Sequence, residues 1–66
     1  MITVTSSNVK AVDYDAGGLL VAFRNGSLYR YFSVPYDKFV GLLHASSKGG
    51  YLAAHIKPYY SYRRIR

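Results

Sequence analysis

Cysteine is missing from this 66-residue chain, which excludes a disulfide framework and every cysteine-ligated zinc site. The fold must rely on its own core or be completed by a partner subunit. Glutamate is missing as well, and the three acids, Asp13, Asp15 and Asp37, all precede residue 38. A metal site would need one of them to converge on His44 and His55, the only imidazoles, and neither a metal nor another cofactor is expected. Ser6 and Ser7 lie outside any nucleophile-elbow sequence, so no catalytic residue is assigned. The first residues lack the basic and apolar regions of a secretory signal, and no apolar run approaches the ~20 residues that cross a bilayer. A cytoplasmic protein with no membrane partner is the expectation. Repeats, low-complexity tracts and Pro- or Ser-rich linkers are lacking too. One domain over residues 1–66 follows, with residues 1–5 as a candidate flexible N-terminus.

What is present is half hydrophobic, 17% aromatic and 18% charged, a composition that folds and does not stay disordered. The net charge of +6 is unevenly placed. Through residue 37, Lys10, Arg24 and Arg30 cancel the three aspartates, so the whole excess comes from Lys38, Lys48, Lys57, Arg63, Arg64 and Arg66. A neutral half joined to a cationic half points to a polyanionic partner, with plain solubility as the bland alternative.

The strongest local signal is Leu19–Phe32, two β-prone runs joined at Asn25-Gly26, which is a β-hairpin. A two-residue loop would put Arg30 among the most apolar residues. A three-residue loop, Arg24-Asn25-Gly26 with Gly26 left-handed, instead gathers Leu19, Val21, Phe23, Tyr29 and Tyr31 on one face, and is preferred. Val9–Tyr14 reads as a preceding strand and Asp15–Gly18 as the turn between them. Pro35 suits a helix start, and Phe39, Leu42 and Leu43 at i, i+3 and i+4 predict a helix from about residue 35 to 45 that covers the sheet. Ser47 is a candidate cap for a short second helix through Tyr51, Leu52 and Ile56, which Pro58 ends. The expected fold is α+β, a small antiparallel β-meander covered by one longer and one short helix. Its C-terminal segment is either an edge strand or a docked extended tail.

That segment, Tyr59–Arg66, holds three arginines and three tyrosines, the mixture that stacks on bases and holds phosphates. The competing reading packs Tyr60 and Tyr62 on the sheet and leaves the arginines solvated. Ser47-Lys48-Gly49-Gly50 before a helix offers a weaker phosphate-holding arrangement. The leading expectation is a non-enzymatic module that contacts RNA or other nucleic acid through Lys48, Lys57, Tyr59, Tyr60, Arg63, Arg64 and Arg66. The alternative is a protein-interaction or regulatory module docking on a larger protein partner, as a monomer or homodimer, since Arg and Tyr suit such a surface equally well.

The order of motifs is itself informative. Ser6-Ser7, Tyr14-Asp15, Leu19-x-Val21-x-Phe23-x-x-Gly26-x-x-Tyr29-x-Tyr31, Val34-Pro35, Ser47-x-Gly49-x-Tyr51, Ile56-Lys57 and Tyr60-x-Tyr62-x-Arg64-Ile65 follow one another. This succession resembles the KTSC domain, a small module named for its occurrence at the C-terminus of some lysyl-tRNA synthetases, over about residues 6–65. The resemblance implies no catalytic residues. It suggests tRNA or general RNA binding, and stand-alone copies occur in bacteria and phages. Two departures are visible: Leu52-Ala53 stands where the family often has Phe-Asn, and Arg63 and Arg66 flank the matching Arg64.

Overall fold

Asn25 and Gly26 turn the hairpin as the preferred register requires. In the computed structural model, which describes residues 1–66, Phe23 N–H donates to Ser27 O (2.9 Å) and Gly26 N–H to Phe23 O (3.0 Å). Gly26 takes a φ of +93°, and Leu19, Val21 and Ala22 pair with Tyr31, Tyr29 and Leu28. The hairpin strands are β3 (Gly18–Phe23) and β4 (Leu28–Tyr31), preceded by β2 (Val9–Asp15). A further strand, β1 (Ile2–Thr3), pairs with Val12 and Ala11, so the N-terminal residues read as a flexible lead-in carry the first edge of the sheet. The last segment is a strand and not a docked tail: β5 (Tyr62–Arg64) pairs with β4 of the same chain. Five antiparallel strands thus lie in sequence order.

Antiparallel pairing sorts the side chains into rows across the sheet. Val12, Val21, Tyr29 and Arg64 form one row, and Tyr14, Leu19, Tyr31 and Tyr62 the next, both on the face the helices cover. Asp13, Leu20, Arg30 and Arg63 form a row on the opposite, uncovered face.

Helix α1 (Tyr36–His44) begins one residue after Pro35 and buries Phe39 and Leu42. The Tyr14 hydroxyl donates to Val34 O (2.6 Å), and its ring stacks on Phe39 (5.3 Å), which ties the helix entry to β2. Ser47 caps α2 (Lys48–Tyr51) by accepting from Gly50 N–H. The chain then widens into a π-helical turn, Leu52–Ile56, closed by Lys57 N–H on Leu52 O (2.8 Å). This turn buries Leu52 and Ile56 together against Val9, Val12, Leu19, Val21 and Leu42. No helix is long and apolar enough to cross a membrane.

Two glycines with positive φ make a matched test of what the sheet tolerates. A Cβ at Gly26 would meet nothing within 4 Å, whereas one at Gly18 would collide with the Tyr31 carbonyl in the adjacent strand. Gly26→Ala should cost about 1–2 kcal/mol from backbone conformation alone. Gly18→Ala should cost at least about twice as much, because β3 and β4 must part. Urea unfolding midpoints at constant m-value would report both; equal losses would show that the carbonyl yields freely.

Candidate functional site

The cationic groups divide into engaged and free. Arg30 grips Asp15 through two hydrogen bonds (2.6 and 3.3 Å) across the open face. The hydrogen bond from Arg30, reinforced by Gly17 N–H, holds the Asp15 carboxyl below its ordinary range, and the same bond raises Arg30. Arg24 donates to Ser6 O, and the Lys48 ammonium donates to Leu43 O and Ala45 O at the end of α1. Lys10, Lys38, Lys57, Arg63 and Arg66 make no side-chain hydrogen bond or ion pair, and Arg64 makes only a hydrogen bond to Arg66 O.

Three of these six, the arginines, belong to β5 or its extension. Leu28 N–H donates to Arg66 O (2.9 Å) and Ile65 N–H to Leu28 O (2.7 Å), continuing the pairing past Arg64. Alternation along this edge sends Arg63 to the open face beside Arg30, while Tyr62 and Arg64 lie on the helix-covered face beside Tyr31 and Tyr29. Arg64 Nε also donates to Arg66 O (3.3 Å), which draws the end of the chain together.

The helices do not reach the β4–β5 end of their face, and a cleft of about 330 Å³ opens there. Its walls are Phe23, Tyr29, Tyr31 and Tyr62, and its polar rim is Asn25, Ser27 and Lys57. Tyr62 sits with its ring centre 5.7 Å from Tyr29 and 5.8 Å from Tyr31, and Phe23 meets Tyr29 edge-on at 5.7 Å. These are the separations at which aromatic rings attract one another. Lys57, delivered by the end of the π-helical turn, places Nζ 5.9 Å from the Phe23 ring centre. Tyr31 is only 3% exposed, yet no buried polar side-chain atom lacks a partner, so its unbonded hydroxyl meets solvent, and it lines the cleft. On the other side of β5, Arg30, Phe32, Arg63, Arg64 and Ile65 line a second, open hollow.

The residues singled out from sequence are thereby separated. Lys57 stands at the cleft, Arg64 beside it on the same face, and Arg63 on the opposite face. Arg66 lies beyond β5, its backbone bonded to Leu28. Tyr59 is 72% exposed and Tyr60 is half-buried against the core. Lys48 sits at the corner between α1 and α2, where its ammonium satisfies helix carbonyls. The cleft itself, with Phe23, Asn25, Ser27, Tyr29, Tyr31 and Tyr62, is not among the expected site residues. The hairpin register held a signal for it, because it places more aromatic bulk on one face than a helix of about 11 residues covers.

The model of one family, described as the KTSC domain, matches residues 5–60. An uncharacterized protein of Stutzerimonas stutzeri is 37% identical over 67 residues, covering 97% of this chain and 94% of its own length. A protein of Tsukamurella paurometabola is 37% identical over 60 residues, covering 88% of this chain and 90% of its own. A crystal structure of a KTSC domain protein from Yersinia pestis superposes with a TM-score of 0.87 at 31% identity, over 97% of this chain and 93% of that one.

Burial, helped by the neighbouring Tyr29 and Tyr62, raises the Tyr31 phenol above its ordinary value of 10.0. The fold therefore favours the neutral phenol. That contribution is fully present below the ordinary value and is lost as pH rises through the raised one. Tyr31→Phe should accordingly flatten the alkaline fall in stability. Urea midpoints between about pH 8 and about pH 11 would measure it; an unchanged slope would place the loss on other groups.

Proposed function

The chain belongs to the KTSC domain family, and we propose that it is a non-enzymatic module that binds RNA through the basic, tyrosine-rich surface around β5. One observation carries this reading: Lys57 stands at the rim of a cleft walled by aromatic rings, and Arg63, Arg64 and Arg66, which likewise have no side-chain carboxylate partner, follow one another along the β5 edge that forms one wall of it. The cations neutralise phosphates and release counterions, while rings at the cleft mouth offer a stacking surface to an unpaired base. The similarity of the sequence to a module found on lysyl-tRNA synthetases points the same way. A cytoplasmic setting belongs with this reading.

A second reading, docking on a larger protein, is favoured by the exposure of Phe32 (37%) and Ile65 (50%) in the hollow that also contains Arg63. Apolar side chains beside arginine are the usual ingredients of a protein interface.

Fluorescence anisotropy with labelled single-stranded RNA, tRNA and duplex DNA across a salt series separates the two. If each of the four cations meets a phosphate, log K for single strands should fall with log salt at a slope of about −3. Arg63→Ala/Arg64→Ala/Arg66→Ala together should weaken binding at least about tenfold at low salt and make the slope shallower by about 2. Salt-insensitive binding, or none, would overturn the RNA reading. Recovery of one protein partner after nuclease treatment would establish the second.

A further inference from the structure

We infer that the Phe23–Tyr62 cleft is a pocket for one unpaired base of a single strand, selective for a base that presents ring carbonyls. This deepens the RNA reading above and rests on it.

Charge fixes the class of guest. Aromatic boxes commonly take ammonium or guanidinium groups. Here Lys57 already occupies the cationic position over Phe23, and the rim contains no carboxylate. A cationic guest would be repelled by Lys57, whereas a planar group on a phosphate chain meets attraction from it. At about 330 Å³ the cleft lies at the small end of ligand pockets, which suits one ring system and not a folded segment.

The rim fixes which edge is read. Asn25 Oδ1 accepts from Ser27 N–H (3.0 Å) and from Ser27 Oγ (2.7 Å). A backbone N–H only donates, so this pair identifies the oxygen end of the amide and leaves Nδ2 with two protons and no partner in the chain. Lys57 also only donates, whereas the hydroxyls of Tyr29, Tyr31 and Tyr62 both donate and accept and Ser27 Oγ, its proton given to Asn25, only accepts, so the fixed donors of the rim are Asn25 Nδ2 and Lys57 Nζ. A rim rich in donors pairs with carbonyl oxygens and leaves an exocyclic amine facing donors. Uracil and cytosine are the same size and differ at position 4, a carbonyl in uracil and an amine in cytosine, and in the opposite sense at N3, so a preference for uracil reports donors addressed to position 4.

The test uses labelled oligouridylate and oligocytidylate of about eight nucleotides with the intact protein at low salt. Oligouridylate should bind about three- to tenfold tighter, the worth of one hydrogen bond gained against one donor left facing another. Asn25→Asp keeps the oxygen that holds the Ser27 turn but replaces the donor by an acceptor, so the ratio of the two affinities should fall to unity or reverse. The ratio within one variant is unaffected by the added charge. Tyr62→Leu, at a residue 61% exposed and so compatible with folding, should cost about tenfold with both strands. In the amide NMR spectrum, the Asn25 side-chain Nδ2 signals should shift on adding oligouridylate and remain in place with inorganic phosphate. Equal affinities for the two strands with Tyr62→Leu silent would overturn the pocket and leave salt-dependent RNA binding intact. Shifts reproduced by phosphate alone would overturn base contact. Failure of every nucleic acid to bind would remove this inference and the reading beneath it together.

Discussion

The pairing of β5 with the free edge of β4 is short, but the outer wall of the candidate site and the placement of its arginines depend on it. Three residue pairs, extended by bonds from Phe32 to Ser61 and from Leu28 to Ile65 and Arg66, return the end of the chain to the hairpin. Without them Tyr29 and Tyr31 would have no Tyr62 beside them, and the arginines would sit on a loose tail. The ladder also fixes alternation, and alternation decides that Arg64 shares a face with the tyrosines while Arg63 lies with Arg30. Two charged residues along an outer strand also discourage a further strand from adding there.

The core reaches this edge only by using amphipathic rings. Val12, Val21, Leu19, Leu42, Leu52 and Ile56 fill the centre, where the helices lie over the sheet. Beyond the helices the rows continue in Tyr29 and Tyr31, whose rings join the core and whose hydroxyls remain wet, and finish in the exposed Arg64 and Tyr62. A chain this short lacks the length to cover all five strands, so the cleft is a geometric result of one small helical layer on a wider sheet.

Sequence reasoning reached the hairpin, α1 and the Ser47 cap because each is set by neighbours in the chain. Arg30 could not face an apolar cluster, and that single conflict chose the register. The last segment was ambiguous because alternating tyrosine and arginine suits an edge strand and a docked tail equally; only the presence of β4's open edge decides. The π-helical turn has no periodic signature in five residues, and it arises because Leu52 and Ile56 must both enter one core. Lys48 resembles any free lysine until α1 and α2 bring the Leu43 and Ala45 carbonyls to it. The Asn25 amide illustrates the same limit, since its turn role was legible and the orientation that frees Nδ2 was not.

The row Asp13, Leu20, Arg30 and Arg63 runs from negative to positive over three strand spacings, about 14 Å. With Arg30 paired to Asp15 and Asp13 facing the N-terminal ammonium (3.9 Å), the acids of this face are opposed, while Arg63 at the β5 side has no such partner. The excess charge on this face therefore lies off centre, toward β5. A highly charged body exerts a torque on the molecule before any atom touches, turning the β5 side inward and β2 outward for a polyanion. For such a partner, orientation, the slow step when two specific patches must meet by diffusion, is partly settled during the approach.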